Sequence, residues 1–537
     1  MKIKNNILLV SVLMIAFLAS SCSKSYLDDV DSDWFTGKDL KQAQSTPSEL
    51  LTLVEADFLG VYQHTYSFMN SASRADDERG LSSLFLCTDL YGKDVVMNNY
   101  NWFRFDYQQD NHNDNYRRSA FLWNLNMKNI VSANRMIETY FPDPSNLTEE
   151  TKSKYASLRA LRGVSYFYLV NLFQGTYKGN EDEPGIPIYK STTDKAEKRN
   201  SVKEVYDLIV EDLSFAVENG AVTDDDPEDL DKRVAAYYLA MSYAMMEDWA
   251  KVEQYSKIAY EGSSIDLPNC ASLEFTSVET PGVIWGYDVN AETTLMWSSV
   301  YAIMDNTLGM YTKNCPYFIY KPLYKKISKT DLRRQQFAPE VSYTEVPAPT
   351  AEDPKATKRV YDEDELKAYQ EFLAKYPNGI AGTSAVNGNL ASVKFASPQD
   401  VTGDLVYLRA VNPYLLCIEA LVEQGKDAEA KAMLTEMMKT RDPKYDVNAI
   451  TDLREEVRTQ RRIELWLEGT SFFDIKRWKQ GINRNEPDSN HRVISDIPAY
   501  PEATVPYRFA IPKREIDTNP GFVQNELIFK NKLKPKA

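Results

Sequence analysis

The sequence predicts a mainly α-helical protein, in which a scaffold of repeated helices carries one long, loop-rich insertion with a few short strands. Several long stretches have apolar residues at helical spacing, whereas short alternating stretches typical of strands are scarce. The 537 residues are 43% hydrophobic and 26% charged, a composition typical of globular proteins. Between about residues 268 and 403 the chain becomes rich in Gly, Pro, Asn and aromatic residues, which predicts the irregular insertion.

The first 22 residues have the pattern of a bacterial lipoprotein leader. Lys2 and Lys4 precede the apolar residues 7–18, and three small residues then lead to Cys22. This order predicts a signal peptide over residues 1–21. The apolar run is shorter than the roughly 20 residues that a membrane-spanning helix needs.

Cys22 resembles the lipidated cysteine of a bacterial lipobox, although the leucine usual three residues earlier is displaced by one, to Leu18. The resemblance implies that acyl chains on Cys22 anchor the protein to a membrane. Residues 22–45 are then the lipidated cysteine and a tether. Four acidic residues between positions 28 and 33 resemble the surface-export signal of lipoproteins from Bacteroidota, and a solvated linker would have the same composition.

Charge and ligand-forming residues exclude several classes of site. The formal net charge is −16 at pH 7, which argues against a nucleic-acid-binding surface. The three histidines, His64, His112 and His491, are too widely spaced for a zinc motif, so we expect no metal site of that kind. The cysteines beyond the leader are Cys87, Cys270, Cys315 and Cys417. They show no CxxC spacing, Cys417 lies in an apolar run typical of a core, and the pattern leaves a disulfide open.

The helical scaffold is predicted over about residues 46–267 and 404–482 of a single domain that spans 46–537. Tyr155–Phe173 has the first clear helical spacing, and a helix hairpin extends from it to Leu213. Two further stretches resemble tetratricopeptide hairpins, in which small residues let antiparallel helices approach closely. These stretches are Val234–Glu261 and Leu415–Met438.

The insertion and the C-terminus complete the domain. Within the insertion, 268–403, the alternating stretch Gly282–Val289 predicts a short strand, and Tyr343–Asp364 is charged and carries prolines. Residues 483–537 are predicted to form an extended C-terminal segment. Long irregular insertions on a rigid scaffold are where binding surfaces tend to lie.

The C-terminal third carries the most specific motif of the chain. Arg461–Gly469 reads RRIELWLEG and is followed by FFDIKRW at Phe472–Trp478. This resembles the signature of the SusD/RagB family, except that Ser471 stands where family members often carry an arginine. Three more segments resemble the family in the same order: Leu158–Phe173, Val205–Leu213 and Ile511–Asn525.

The resemblance implies an outer-membrane lipoprotein that binds a ligand and catalyses no reaction. Its expected role is to capture oligosaccharides at the cell surface, without a cofactor, and to deliver them to a SusC-like TonB-dependent transporter. A peptide cargo, as in RagB-like members, is one alternative. A surface glycosidase is another, and it would need two carboxylates facing one cleft.

Glu464 and Glu468 are the candidate carboxylate pair for that last alternative. They lie four residues apart, which places them on one face of a helix, with Arg461 or Arg462 one turn earlier. Carboxylates interleaved with arginines on an amphipathic helix more often form a structural ion-pair network. We therefore favour a scaffold role for this segment.

Aromatic residues in polar, irregular segments indicate the ligand-binding site, because sugars present apolar ring faces to aromatic side chains. The candidate ligand-binding residues are Trp102, Trp297, Tyr301, Tyr311, Tyr100, Asp76 and Arg79. We expect the aromatic rings to be partly exposed on one surface, although they come from two distant parts of the chain. Asp76 or Arg79 is expected to border them and to hydrogen-bond the sugar hydroxyls.

Overall fold

The computed structural model describes residues 43–44, 46–70, 76–99, 101–350, 353, 355–379, 389–491 and 508–525. Residues 54–537 form one compact unit, and the separate unit 1–53 is described only at 43–44 and 46–53. The predicted signal peptide, Cys22 and most of the tether lie outside the described residues. Among the residues that are described, no helix is long and apolar enough to cross a membrane.

The prediction of a mainly α fold is confirmed. The first helices are α1 Pro47–Ser67, α2 Gly80–Leu90, α3 Arg104–Tyr107, α4 Arg117–Tyr140, α5 Glu149–Phe173, α6 Val202–Asn219, α7 Lys232–Met246 and α8 Trp249–Tyr260. The later helices are α9 Val300–Met304, α10 Lys321–Tyr324, α11 Glu363–Leu373, α12 Val411–Glu423, α13 Asp427–Met438, α14 Leu453–Glu464, α15 Ser471–Arg477 and α16 Lys513–Thr518. The strands are β1 Val95–Met97, β2 Val283–Tyr287, β3 Tyr317–Ile319, β4 Tyr343–Pro347, β5 Thr357–Tyr361 and β6 Leu405–Arg409.

Helices α4 to α8 pack in succession, each against the next. Helices α5 and α6 both begin at capping boxes, which satisfy their first backbone N–H groups. Gly163 lets these two helices approach closely, because a Cβ atom there would lie 2.9 Å from Leu213 Cδ2. At the same contact, Asp212 accepts hydrogen bonds from Arg159 and Arg162. The predicted hairpin between Tyr155 and Leu213 therefore exists as α5 and α6.

The two tetratricopeptide-like stretches also fold as hairpins. Helices α7 and α8 are joined at Glu247, whose φ of 61° gives the left-handed turn that ends α7. Helices α12 and α13 are joined at Gly425, whose φ of 72° is one that glycine adopts without strain. Helix α12 packs against α8, α13 and α14, so it links the two halves of the helical scaffold.

The insertion is more ordered than its composition predicts. Strand β2 forms within the predicted stretch and pairs antiparallel with β6, which follows the insertion. Strand β1 pairs antiparallel with β3, and β4 pairs with β5. The charged, proline-bearing stretch thus becomes a hairpin that leads into α11. Pro347, the last residue of β4, is tolerated because a two-stranded hairpin leaves one edge of each strand without a partner.

Candidate ligand-binding site

Three of the candidate aromatic rings meet where the insertion contacts the segment that carries Trp102. The Trp102 and Tyr311 ring centroids are 4.5 Å apart, at an interplanar angle of 77°. The Trp297 and Tyr311 centroids are 5.5 Å apart, at 68°. Trp297 is 55% exposed, whereas Trp102 and Tyr311 are half-buried. Tyr311 therefore joins two tryptophans from distant parts of the chain, and we call these three residues the aromatic cluster.

The pairing of β1 with β3 brings the segments of the cluster together. Met97 pairs with Tyr317, so the chain leading to Trp102 runs beside the chain that follows Tyr311. The Asn101 side chain donates a 2.7 Å hydrogen bond to the Tyr317 hydroxyl and strengthens the same junction. Trp297 enters from a 3₁₀ turn, Met296–Ser298, that immediately precedes α9.

Asp76 lies beside two parts of the cluster. Its carboxylate accepts a 2.8 Å hydrogen bond from the hydroxyl of Ser298, the residue after Trp297. Burial raises the pKa of Tyr311, and so does the negative charge of the nearby Asp76 carboxylate. Asp76 thus lies close to Tyr311 and holds the turn that carries Trp297. Sequence reasoning missed Ser298, whose only signal was its position next to Trp297.

The remaining candidates are Tyr301, Arg79 and Tyr100, of which the first two are buried. Tyr301 is only 3% exposed, and its hydroxyl donates a 2.6 Å hydrogen bond to the Asp404 carbonyl. The expectation that its ring is exposed is wrong, because all five residues of α9 are buried. Arg79 is 8% exposed, with its guanidinium 3.9 Å from the Asp76 carboxylate, so it lies beneath the cluster's acidic residue. Tyr100 lies outside the described residues.

Glu464, the first carboxylate of the alternative site, is completely buried. It contacts Arg333 at 3.2 Å, Arg409 at 3.3 Å and Arg441 at 3.1 Å. Burial by itself would raise the pKa of Glu464, but the three arginine charges outweigh burial and hold the pKa well below its usual value. A carboxylate held ionised in this way is a poor general acid.

Glu468, the second carboxylate, lies beyond the end of α14, so the expectation that both glutamates share one helical face is wrong. The chain turns there because Leu467 and Gly469 adopt φ values of 60° and 78°. Glu468 contacts Lys394 at 2.5 Å and Arg409 at 2.7 Å. Burial would raise its pKa, but these two cations hold the pKa below the usual value.

The buried ion network consists of six residues: Glu464, Glu468, Arg333, Arg409, Arg441 and Lys394. The two glutamates belong to an ion-pair network, as predicted. The expectation that Arg461 or Arg462 supplies its positive charge is wrong, because Arg461 pairs with Asp474 and Arg462 with Asp94. Ser471 stands where members of the family often carry an arginine. Its backbone N–H donates a 2.8 Å hydrogen bond to Asp89. Within the described ranges, no group of His, Cys, Asp and Glu could hold a metal ion, and the four cysteines there are free thiols.

Two family models match the sequence. One is described as the SusD family and matches residues 369–527. The other is described as starch-binding associating with outer membrane and matches residues 39–243. Together these ranges cover more than half of the chain. No curated protein matches the sequence significantly.

Solved structures share the fold. A SusD-like carbohydrate-binding protein from Bacteroides vulgatus has a TM-score of 0.69 at 20% identity, covering 87% of this chain and 96% of its own. A SusD superfamily protein from Bacteroides thetaiotaomicron has a TM-score of 0.64 at 19% identity, covering 89% and 99%. Another from Parabacteroides distasonis has a TM-score of 0.61 at 16% identity, covering 90% and 99%. These likenesses confirm the predicted helical-repeat fold.

Proposed function

We propose that this chain, which belongs to the SusD family, is a glycan-binding protein that holds oligosaccharides on Trp102, Tyr311 and Trp297. The observation that carries the proposal is the meeting of these three rings at the surface, with Trp297 55% exposed. The rings supply apolar faces for sugar rings, and a site of this kind needs only a few polar groups beside them. One matched model is described as starch-binding and one structural neighbour as carbohydrate-binding, which supports a glycan as the ligand.

The three rings are held before any ligand arrives. Asp76 accepts a hydrogen bond from Ser298 and lies close to Tyr311, and the pairing of β1 with β3 places Trp102 beside Tyr311. A preformed site loses less conformational entropy when the ligand binds, which increases the affinity that a small contact area can give. The arrangement suits capture and release rather than chemistry, and the protein in this proposal is not an enzyme.

The direct experiment is a glycan array on the purified protein, run beside a peptide library. The proposal expects binding to one class of oligosaccharide, and loss of that binding in the Trp102→Ala, Trp297→Ala double variant. Tyr343→Ala is the matched control, because Tyr343 is also an exposed aromatic residue, at 47%. Binding to peptides without any glycan would overturn the proposal in favour of a peptide cargo. Hydrolysis of a bound glycan would instead support the alternative that the protein is a surface glycosidase.

Capture of this kind fits a protein held at the outer membrane, facing the cell surface, by acyl chains on Cys22. The pattern of residues 1–22 supports the anchor, and the description of the matched model supports the outer membrane. The captured glycan would pass to a SusC-like TonB-dependent transporter. Cys22→Ala should release the protein from the outer-membrane fraction of cells that lack the transporter. Unchanged recovery in that fraction would refute lipid anchoring.

A further inference from the structure

We infer that Phe105 and Tyr116 form a second aromatic subsite, which extends the aromatic cluster so that the protein selects long, linear oligosaccharides over short ones. This inference rests on the proposed function, since it concerns the same ligand. Phe105 is 37% exposed and Tyr116 is 40% exposed. Their ring centroids are 6.4 Å apart, tilted by 55°. The two rings therefore form an exposed aromatic pair outside the cluster already described.

The pair is continuous with the cluster along the backbone. The Arg104 N–H donates to the Asn101 carbonyl at 3.1 Å, and the Tyr107 N–H donates to the Phe103 carbonyl at 3.0 Å. The Asn101–Arg104 turn thus runs directly into α3, which begins at Arg104. Trp102 and Phe105 are three positions apart, and their Cα atoms can be separated by at most about 11 Å.

The pair and the cluster also share one buried base. Arg118 donates to Asp77 Oδ2 at 2.8 Å, and to both oxygens of Asp106 at 2.8 Å. Arg118 is 3% exposed and Asp106 is completely buried. Asp77 follows the cluster's anchor Asp76, Asp106 follows Phe105, and Arg118 lies two residues after Tyr116. One ion cluster therefore joins the segments that carry Phe105 and Tyr116 to the segment that carries Asp76.

The chemistry of the surface favours a chain of sugar rings as its occupant. Exposed rings on a rigid base offer successive apolar faces, so a ligand with several pyranose rings can cover both sets at once. A ligand that occupies only the aromatic cluster makes no contact with Phe105 or Tyr116. The second subsite then acts as a length filter: it adds affinity only when the ligand extends beyond the aromatic cluster.

The test is a calorimetric titration with matched trimers and heptamers of linear α-glucan, β-glucan, xylan and mannan. In the series that binds, Trp297→Ala should weaken both the trimer and the heptamer. Phe105→Ala should weaken the heptamer about five- to tenfold and leave the trimer unchanged, as expected for the loss of one aromatic contact. Tyr116→Ala should give the same pattern. Agreement between the two variants would show that the loss does not come from a local folding defect in Phe105→Ala.

Tyr343→Ala is the matched control. Tyr343 is exposed, its ring centroid lies 5.9 Å from that of Tyr361, and Arg359 Cζ lies 4.4 Å from its ring. Phe105 has the same surroundings, with Arg104 Cζ 4.6 Å from its ring. Equal loss in Tyr343→Ala, or full heptamer affinity in both Phe105→Ala and Tyr116→Ala, would overturn the second subsite. If Trp297→Ala still lost affinity, the proposed function would stand. If the wild-type protein bound neither the trimer nor the heptamer of any series, both would fail.

Discussion

The buried ion network and the aromatic cluster are built by opposite means. The network surrounds Glu464 with three arginines, and all four side chains are 5% exposed or less. The cluster joins three rings at the surface, and Trp297 has more than half of its area exposed. Both regions assemble residues from distant parts of the chain. The comparison indicates that the most specific motif of this sequence stabilises the fold, whereas less distinctive residues form the candidate site.

The difference follows from the environment of each region. A buried carboxylate must be paired with cations, because an unpaired buried charge is strongly destabilising. This requirement restricts the residue types in the network to a recognisable pattern. An exposed ring has no such requirement, so no sequence motif identifies the aromatic cluster. Substitutions in the network should therefore change stability, and those in the cluster should change binding.

The largest effect is expected from Glu464→Ala. Removing this carboxylate leaves Arg333, Arg409 and Arg441 without their shared partner, which should lower the free energy of unfolding by about 3–5 kcal/mol. Chemical denaturation measures the change. Glu436→Ala is the control, because its ion pair with Lys439 is exposed and such pairs contribute about 0–1 kcal/mol. Equal effects of the two substitutions would contradict the difference drawn between buried and exposed charges.

Glu468→Gln should give a smaller effect that depends on pH. Arg409 and Lys394 hold the pKa of Glu468 below its usual value, so its ionised form stabilises the fold above the unfolded pKa of about 4.3. That stabilisation is lost as the pH falls through the lower, folded pKa. The variant should be less stable than wild type at pH 7 and should approach it under acid. Thermal melts across this range would contradict the account if the gap stayed constant.

Asp76 and Ser298 test whether the acidic residue contacts the ligand or positions the Trp297 turn. If Asp76 acts through the Ser298 hydroxyl, Asp76→Ala and Ser298→Ala should each weaken glycan binding by about 1 kcal/mol. The double variant should then be no weaker than Asp76→Ala alone, because both changes remove the same hydrogen bond. Fully additive losses in titration calorimetry would instead place the Asp76 carboxylate on the ligand.

Periodicity predicted most of the scaffold. The three hairpins appear as α5–α6, α7–α8 and α12–α13, since their apolar spacing and small residues are local features. The insertion was harder to predict because its strand partners are distant in sequence. Strand β2 pairs with β6, more than 100 residues later. The prolines near β4 argued against a strand there, yet β4 pairs with β5 in a hairpin. Local patterns carry no information about such partners.

The candidate site could be predicted only as a region. Trp102, Trp297 and Tyr311 were identified from their polar surroundings, and the structure brings them together. Tyr301 has similar polar surroundings, yet it lies in a short helix that packs inward. The roles of Ser298 and Asp76 depend on hydrogen bonds between segments more than 200 residues apart, as the separation of 222 for this pair shows. Composition cannot predict those contacts.

The most direct test of the central claim is a titration of Trp297→Ala with the glycan that the wild-type protein binds, paired with a thermal melt. The ring is 55% exposed, so its loss should change the free energy of unfolding by no more than about 0.5 kcal/mol. We predict glycan affinity at least about tenfold lower at an unchanged melting temperature. Unchanged affinity, or a loss that merely follows unfolding, would contradict a glycan site on the aromatic cluster.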